Sequence, residues 1–187
     1  MSRMGDDVQL SGDARCDSMG RCAKYASYSL HDTEQNAIAC TELIVSTEPQ
    51  TQKSAAMEKL DLIRAIHLVD QCVPNVKIQL TTDGHPGVAK YLKEEKAEKV
   101  THNLDIWHVG KGLKKRMAKL KKFPEVKMWQ RSIINHLYWC AVTSDYNGEL
   151  MVAKWRSLAN HIINVHEHDN DLFPRCAHGE LTPKALA

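Results

Sequence analysis

The chain has 187 residues and a formal net charge of +2 with ten histidines uncounted. That length suits one domain, or one domain carrying an insertion, and excludes two large ones. Hydrophobic residues at 43% and charged residues at 26% exclude wholesale disorder, and so small a net charge is no argument for nucleic acid.

Residues 8–13 alternate apolar and polar at period two, predicting a strand that ends on Asp13, followed by a turn-rich segment from Cys16 to Cys22. Residues 24–30, with Tyr25 and Tyr28, predict a second strand, and 37–45 a third, so the chain opens as an antiparallel meander. From 53 to 73 the period becomes helical, with Leu62, Ile66, Val69 and Val73 on one face, until Pro74 stops it. Val76, Ile78 and Leu80 alternate into a strand ending on Asp83, and Pro86 opens a helix to about residue 98. A fifth strand is predicted over 100–107.

Three further helices follow, striped by Leu113, Met117 and Leu120; by Trp129, Ile133, Leu137 and Ala141; and by Met151, Trp155, Leu158, Ile162 and Val165. The tail from Glu167 predicts a loop. The element order demands a mixed five-stranded sheet with flanking helices, an α/β core over residues 8–122, then a helical insertion and polar tail over 123–187.

Six scattered cysteines without an apolar leader predict reduced thiols and an intracellular protein, nuclear or cytoplasmic. No apolar run approaches the ~18 residues of a membrane span, so no membrane partner is expected.

Phosphodiester chemistry is commonly performed by two divalent cations held on carboxylates at rigid strand ends. Asp13 and Asp83 are the acids so placed. Taken singly, each also fits a solvated turn residue. Their context adds to the signal: Gly12-Asp13-Ala14-Arg15-Cys16-Asp17-Ser18, Ala23-Lys24-Tyr25, Thr82-Asp83-Gly84-His85, Asp105-Ile106-Trp107-His108-Val109, Asn135-His136-Leu137-Tyr138-Trp139 and Cys176-Ala177-His178-Gly179 together resemble the cores of Kolobok-type DNA transposases, a ribonuclease H-like family.

The resemblance implies cut-and-paste transposition, with Asp13 and Asp83 holding Mg²⁺ or Mn²⁺, Asp17 as runner-up for the first acid, and His85, Asp105 and His108 lining the site. It implies DNA as partner, with self-association a further expectation. Glu58 reads as a surface helix residue, although ribonuclease H itself uses an acid there. Such transposases need a third acid on a helix after the insertion, and Glu149, Glu167 and Glu180 do not stand in a matching context. The expectation is therefore a core fragment without turnover. The alternative is a domesticated DNA- or protein-binding module that performs no catalysis.

Seven basic residues and no acids lie between Lys111 and Lys122. Lys111, Lys114, Lys115, Arg116 and Lys119 are candidates to track a phosphate backbone, against the commoner reading of a solvated helix face. His161, His166, Cys176 and His178 form a ligand set suited to Zn²⁺. Their spacing is unhelpful, since His161 and His166 are placed on one helix and the chain from 166 to 176 must fold back.

Overall fold

A computed structural model describes residues 7–18, 23–47 and 54–179, with side chains from residue 56 onward in the last span. The elements in order are β1 (Val8–Cys16), β2 (Tyr25–Asp32), β3 (Ala37–Val45), α1 (Ser54–Cys72), β4 (Ile78–Thr82), α2 (Pro86–Glu95), β5 (Val100–Leu104), α3 (Ile106–Met117), α4 (Pro124–Val142) and α5 (Gly148–Ile162). The chain divides into two compact units, Met1–His108 and Val109–Ala187.

In the first unit the five strands form one sheet in the order β3-β2-β1-β4-β5. β1, β2 and β3 are antiparallel neighbours, whereas β4 lies parallel to β1 and β5 parallel to β4. The β2–β3 turn is built by Asp32, whose carboxylate accepts the backbone N–H groups of Glu34 and Gln35 at 2.9 Å each, and by Asn36 at φ +50°. This mixed sheet with flanking helices is the arrangement of the broad ribonuclease H-like superfamily.

α1 and α2 close over one face of the sheet. Leu62, Ala65, Ile66 and Val69 of α1 and Val88, Tyr91 and Leu92 of α2 meet Leu10, Tyr28, Leu30, Ile78, Leu80 and Val100. Each large apolar side chain so buried contributes about 1.5–3 kcal/mol. Gly12 is needed here because any Cβ would collide with the ring of Tyr28, itself fully buried. At the far end of α1, Asp70 pairs with Lys99 at 2.6 Å and Lys96 at 3.4 Å. Val73, expected on the core face, is 37% exposed because the helix ends one residue before it.

Two boundaries move in ways that bear on the site. β1 runs to Cys16 rather than ending at Asp13, because its second half pairs with β2 up to Cys16↔Ala26 after β4 has stopped. Asp13 is thus inside a strand. β5 ends at Leu104 instead of residue 107, because the Asp105 carboxylate accepts the Trp107 N–H at 2.9 Å and turns the chain into α3.

In the second unit α4 and α5 pack on each other through Ile134, Leu137 and Cys140 of one and Ala153, Lys154 and Ser157 of the other. The apolar stripes are only partly used: Leu137 is buried, whereas Trp129 at 42% and Ile162 at 43% are exposed at their ends. The interface is partly polar, which hydropathy does not register. Lys154 donates to the Thr143 carbonyl and, at 2.9 Å, to its hydroxyl, capping the C-terminus of α4 with a cation. His136 Nε2 lies 2.9 Å from the Lys154 carbonyl oxygen. Val165 falls outside α5, which stops at Ile162.

The tail is irregular but folded back. Glu167 bridges Arg175, His168 N donates to the Pro174 carbonyl at 2.7 Å, and Cys176 N to the His166 carbonyl at 2.9 Å. Among the described residues the cysteines are free, and no helix is long and apolar enough to cross a membrane.

Candidate functional site

Two separate groups of side chains have the chemistry of a site. The first lies at the C-terminal edge of the parallel strands, where α/β sheets commonly bind ligands. Ser11 pairs with Thr81 and Thr81 with Asn103, so Asp13, Asp83 and Asp105, each two residues further along, fall in one row across β1, β4 and β5. His108 links the last two, with Nδ1 4.0 Å from Asp83 and Nε2 4.0 Å from Asp105. The backbone is pinned nearby: Asp105 N donates to the Thr82 carbonyl at 2.8 Å, and His85 N to the Asp83 carboxylate at 3.1 Å. Thr82 is buried, its hydroxyl 2.9 Å from His102 Nε2 and accepting the Gly84 N–H at 3.2 Å. Gly84 supplies the φ of +83° this turn requires.

Glu58 belongs to this edge, which corrects its reading as a surface helix residue. It is partly buried, and burial pushes its carboxyl above the ordinary range; the negative charges of Asp83 and Asp13 push it further, while His85 pulls it down. Asp17 does not join the row. Its carboxylate accepts the Lys24 N–H at 3.0 Å and the Ser18 hydroxyl at 3.5 Å, closing its own hairpin. Of the late acids, Glu149 occupies the first turn of α5, Glu167 sits in the tail bridge, and Glu180 lies outside the described residues.

The acidic row does not converge as tightly as a metal-bound set would. Among the described residues, the group gathered closely enough for one ion is His161, His166, Cys176 and His178, whose ligand atoms all lie within 4.8 Å of one another. This metal-type donor set is the second group.

It is assembled by the end of α5 and the folded-back tail. His161 is in the last turn of the helix, whereas His166, expected on that helix from its spacing, lies beyond it because Asn164, at φ +62°, turns the chain. The three histidine rings are mutual edge-on neighbours with centroids 4.8–5.2 Å apart. His161 is held below its usual pKa by desolvation and by its neighbours His166, His178, His136 and His168. A cavity of about 340 Å³ adjoins the group, lined by His136, Trp139 and Phe173 among others. His168 and Asn160, which touch this cluster, carried no spacing signal of their own.

The basic run divides between α3, with Lys111, Lys114, Lys115 and Arg116, and the turn after it, with Lys119. Their side chains are exposed. Lys114 also lines a second cavity of about 340 Å³ with Gln130, Arg131, Asn135 and Tyr138, a basic and hydrogen-bonding lining within the second unit. Compared with protein-family models, curated proteins and solved structures, the chain matches none.

Proposed function

We propose that this chain is core material of a Kolobok-type DNA transposase, binding DNA and a divalent cation through a nuclease-type carboxylate edge. The observation that carries the reading is the row of Asp13, Asp83 and Asp105 at the C-terminal edge of three parallel strands, in a sheet of ribonuclease H-like order. Glu58 supports it, since its carboxyl, raised chiefly by burial, also feels the like charges of Asp83 and Asp13, which a bound cation would offset.

The residues fit such a cation in type and level, and only partly in convergence. Asp83 would be the shared ligand, with Asp13 reaching the same ion from the neighbouring strand. His108, between Asp83 and Asp105, would orient both carboxylates and offer a proton donor near a departing oxygen. A bound Mg²⁺ or Mn²⁺ would supply Lewis acidity toward a phosphodiester. The basic face of α3 would hold the phosphate backbone in a salt-dependent manner.

Asp105 and Glu58 are near the same edge, but among the described residues no three carboxylates draw close enough together to hold one ion. We therefore expect binding without turnover, which also favours the second reading, a DNA-binding module that has kept the fold. Plasmid nicking and oligonucleotide strand transfer in Mn²⁺ test this alongside DNA affinity at low salt. DNA retention with no cleavage is expected. Cleavage that Asp83→Ala abolishes would reveal a complete site, and a chain that ignores DNA at low salt would remove both readings.

A further inference from the structure

The tail after α5 carries chemistry that the carboxylate edge does not use. We propose that His161, His166, Cys176 and His178 bind one structural zinc ion, with all four tetrahedral positions filled by protein, and that His168 is a positioning residue hydrogen-bonded to the cysteine sulfur.

The separations suit one ion. Zinc bonds of about 2.3 Å to sulfur and about 2.0 Å to nitrogen, at a tetrahedral angle, put those atoms roughly 3.5 Å apart. Cys176 Sγ and His161 Nδ1 are 3.6 Å apart. The other ligand atoms need to draw in only slightly from their present spread of 4.8 Å.

Hydrogen bonds on the far sides of the rings choose which nitrogen is free. His166 Nε2 is 3.0 Å from the Asn164 side-chain oxygen, which can only accept, so that nitrogen carries the proton. His166 Nδ1 is then bare; it is buried and has no hydrogen-bond partner among the described residues. A buried acceptor left so is costly, by about 1–3 kcal/mol, unless a cation takes it up. His178 Nδ1 donates to the Gly179 carbonyl at 2.6 Å, leaving Nε2 bare. Asn160 Nδ2 donates to His168 Nδ1 at 3.2 Å, which puts the proton on Nε2, and that nitrogen lies 3.4 Å from Cys176 Sγ. A donor so aimed stabilises a thiolate. Such outer partners orient metal ligands.

A thiolate with three imidazoles selects zinc over Mg²⁺, and four protein ligands leave no open position for substrate, so the role is structural. The fold has a use for such a clip. Residues 163–179 form no helix or paired strand beyond one bridge, and Ile163, Val165 and Leu172 are exposed there, so little apolar burial holds the segment.

The full chain, purified without chelator, is expected to carry one zinc per molecule by elemental analysis. Replacement by Co²⁺ should give the strong visible absorption of a tetrahedral site with a near-ultraviolet sulfur-to-cobalt band. That band should vanish in Cys176→Ser, and zinc should fall in His178→Ala, which lies beyond the last helix. His168→Ala should keep the stoichiometry, shift the sulfur band and weaken zinc about 10–100-fold. Asp83→Asn should leave zinc unchanged, so this site can stand or fall apart from the carboxylate edge. A zinc-free chain whose Co²⁺ spectrum is that of the hydrated ion would overturn the proposal, and so would a sulfur band that survives Cys176→Ser.

Discussion

Asp13, inside β1, and Asp83, one residue past β4, stand level across a parallel strand pair, each two positions beyond the paired residues Ser11 and Thr81. Glu58 feels both charges from α1. Its raised pKa means the folded chain holds that proton to higher pH than the unfolded chain does. Stability without metal should therefore fall as pH rises from the ordinary carboxylate range through the raised value. Glu58→Gln should abolish that fall and raise Tm at neutral pH; a pH profile of melting unchanged by the substitution would contradict a carboxyl raised chiefly by burial.

Asp70 has the opposite sign. Burial would push its carboxyl up, but hydrogen bonding and charge from Lys99, aided by Lys96, hold it below the ordinary value. Its contribution is present above the unfolded pKa and is lost as pH falls through the folded one. Asp70→Asn should lower stability at neutral pH and narrow the difference from wild type in acid, as read from urea midpoints at each pH.

Gly12→Ala should destabilise by about 1–3 kcal/mol through overpacking against Tyr28. Adding Tyr28→Phe, which removes the hydroxyl from the crowded spot, should recover part of the loss. Chemical denaturation of both variants reads the difference, and equal midpoints for Gly12→Ala and wild type would mean the two groups do not collide.

Much of the first unit is legible in the sequence because its signals are apolar and local. Period-two alternation in residues 8–13 and at Val76, Ile78 and Leu80, the helical stripe of Leu62, Ile66 and Val69, and Pro86 at a helix start all mark elements that form. The second unit is less legible. Lys154 and Ser157 are buried by hydrogen bonding, not hydropathy, and shift the packing face off the Trp155 stripe. Asp83 can be placed from its strand end, whereas Asp105 falls inside the strand expected over 100–107 and enters only through the resemblance, and the partial burial of Glu58 depends on how α1 lies across the sheet. The four late ligands are legible as residue types; the turn at Asn164 that gathers them is not.

DNA affinity should fall with salt, and reversing Lys114, Lys115 and Lys119 to Glu should flatten the log-log slope by roughly 0.9 for each phosphate no longer neutralised. Fluorescence anisotropy with a labelled duplex across a salt series measures it. A slope indifferent to these charges would free α3 from any DNA role.

Mn²⁺ titration of the zinc-loaded chain, with unbound ion followed by electron paramagnetic resonance, reads most directly whether Asp13 and Asp83 grip one cation. Weak binding that Asp13→Asn and Asp83→Asn each remove, and that His178→Ala preserves, is the predicted result. A wild-type chain that takes up no Mn²⁺, or variants that take it up as wild type does, would contradict a shared site at this sheet edge.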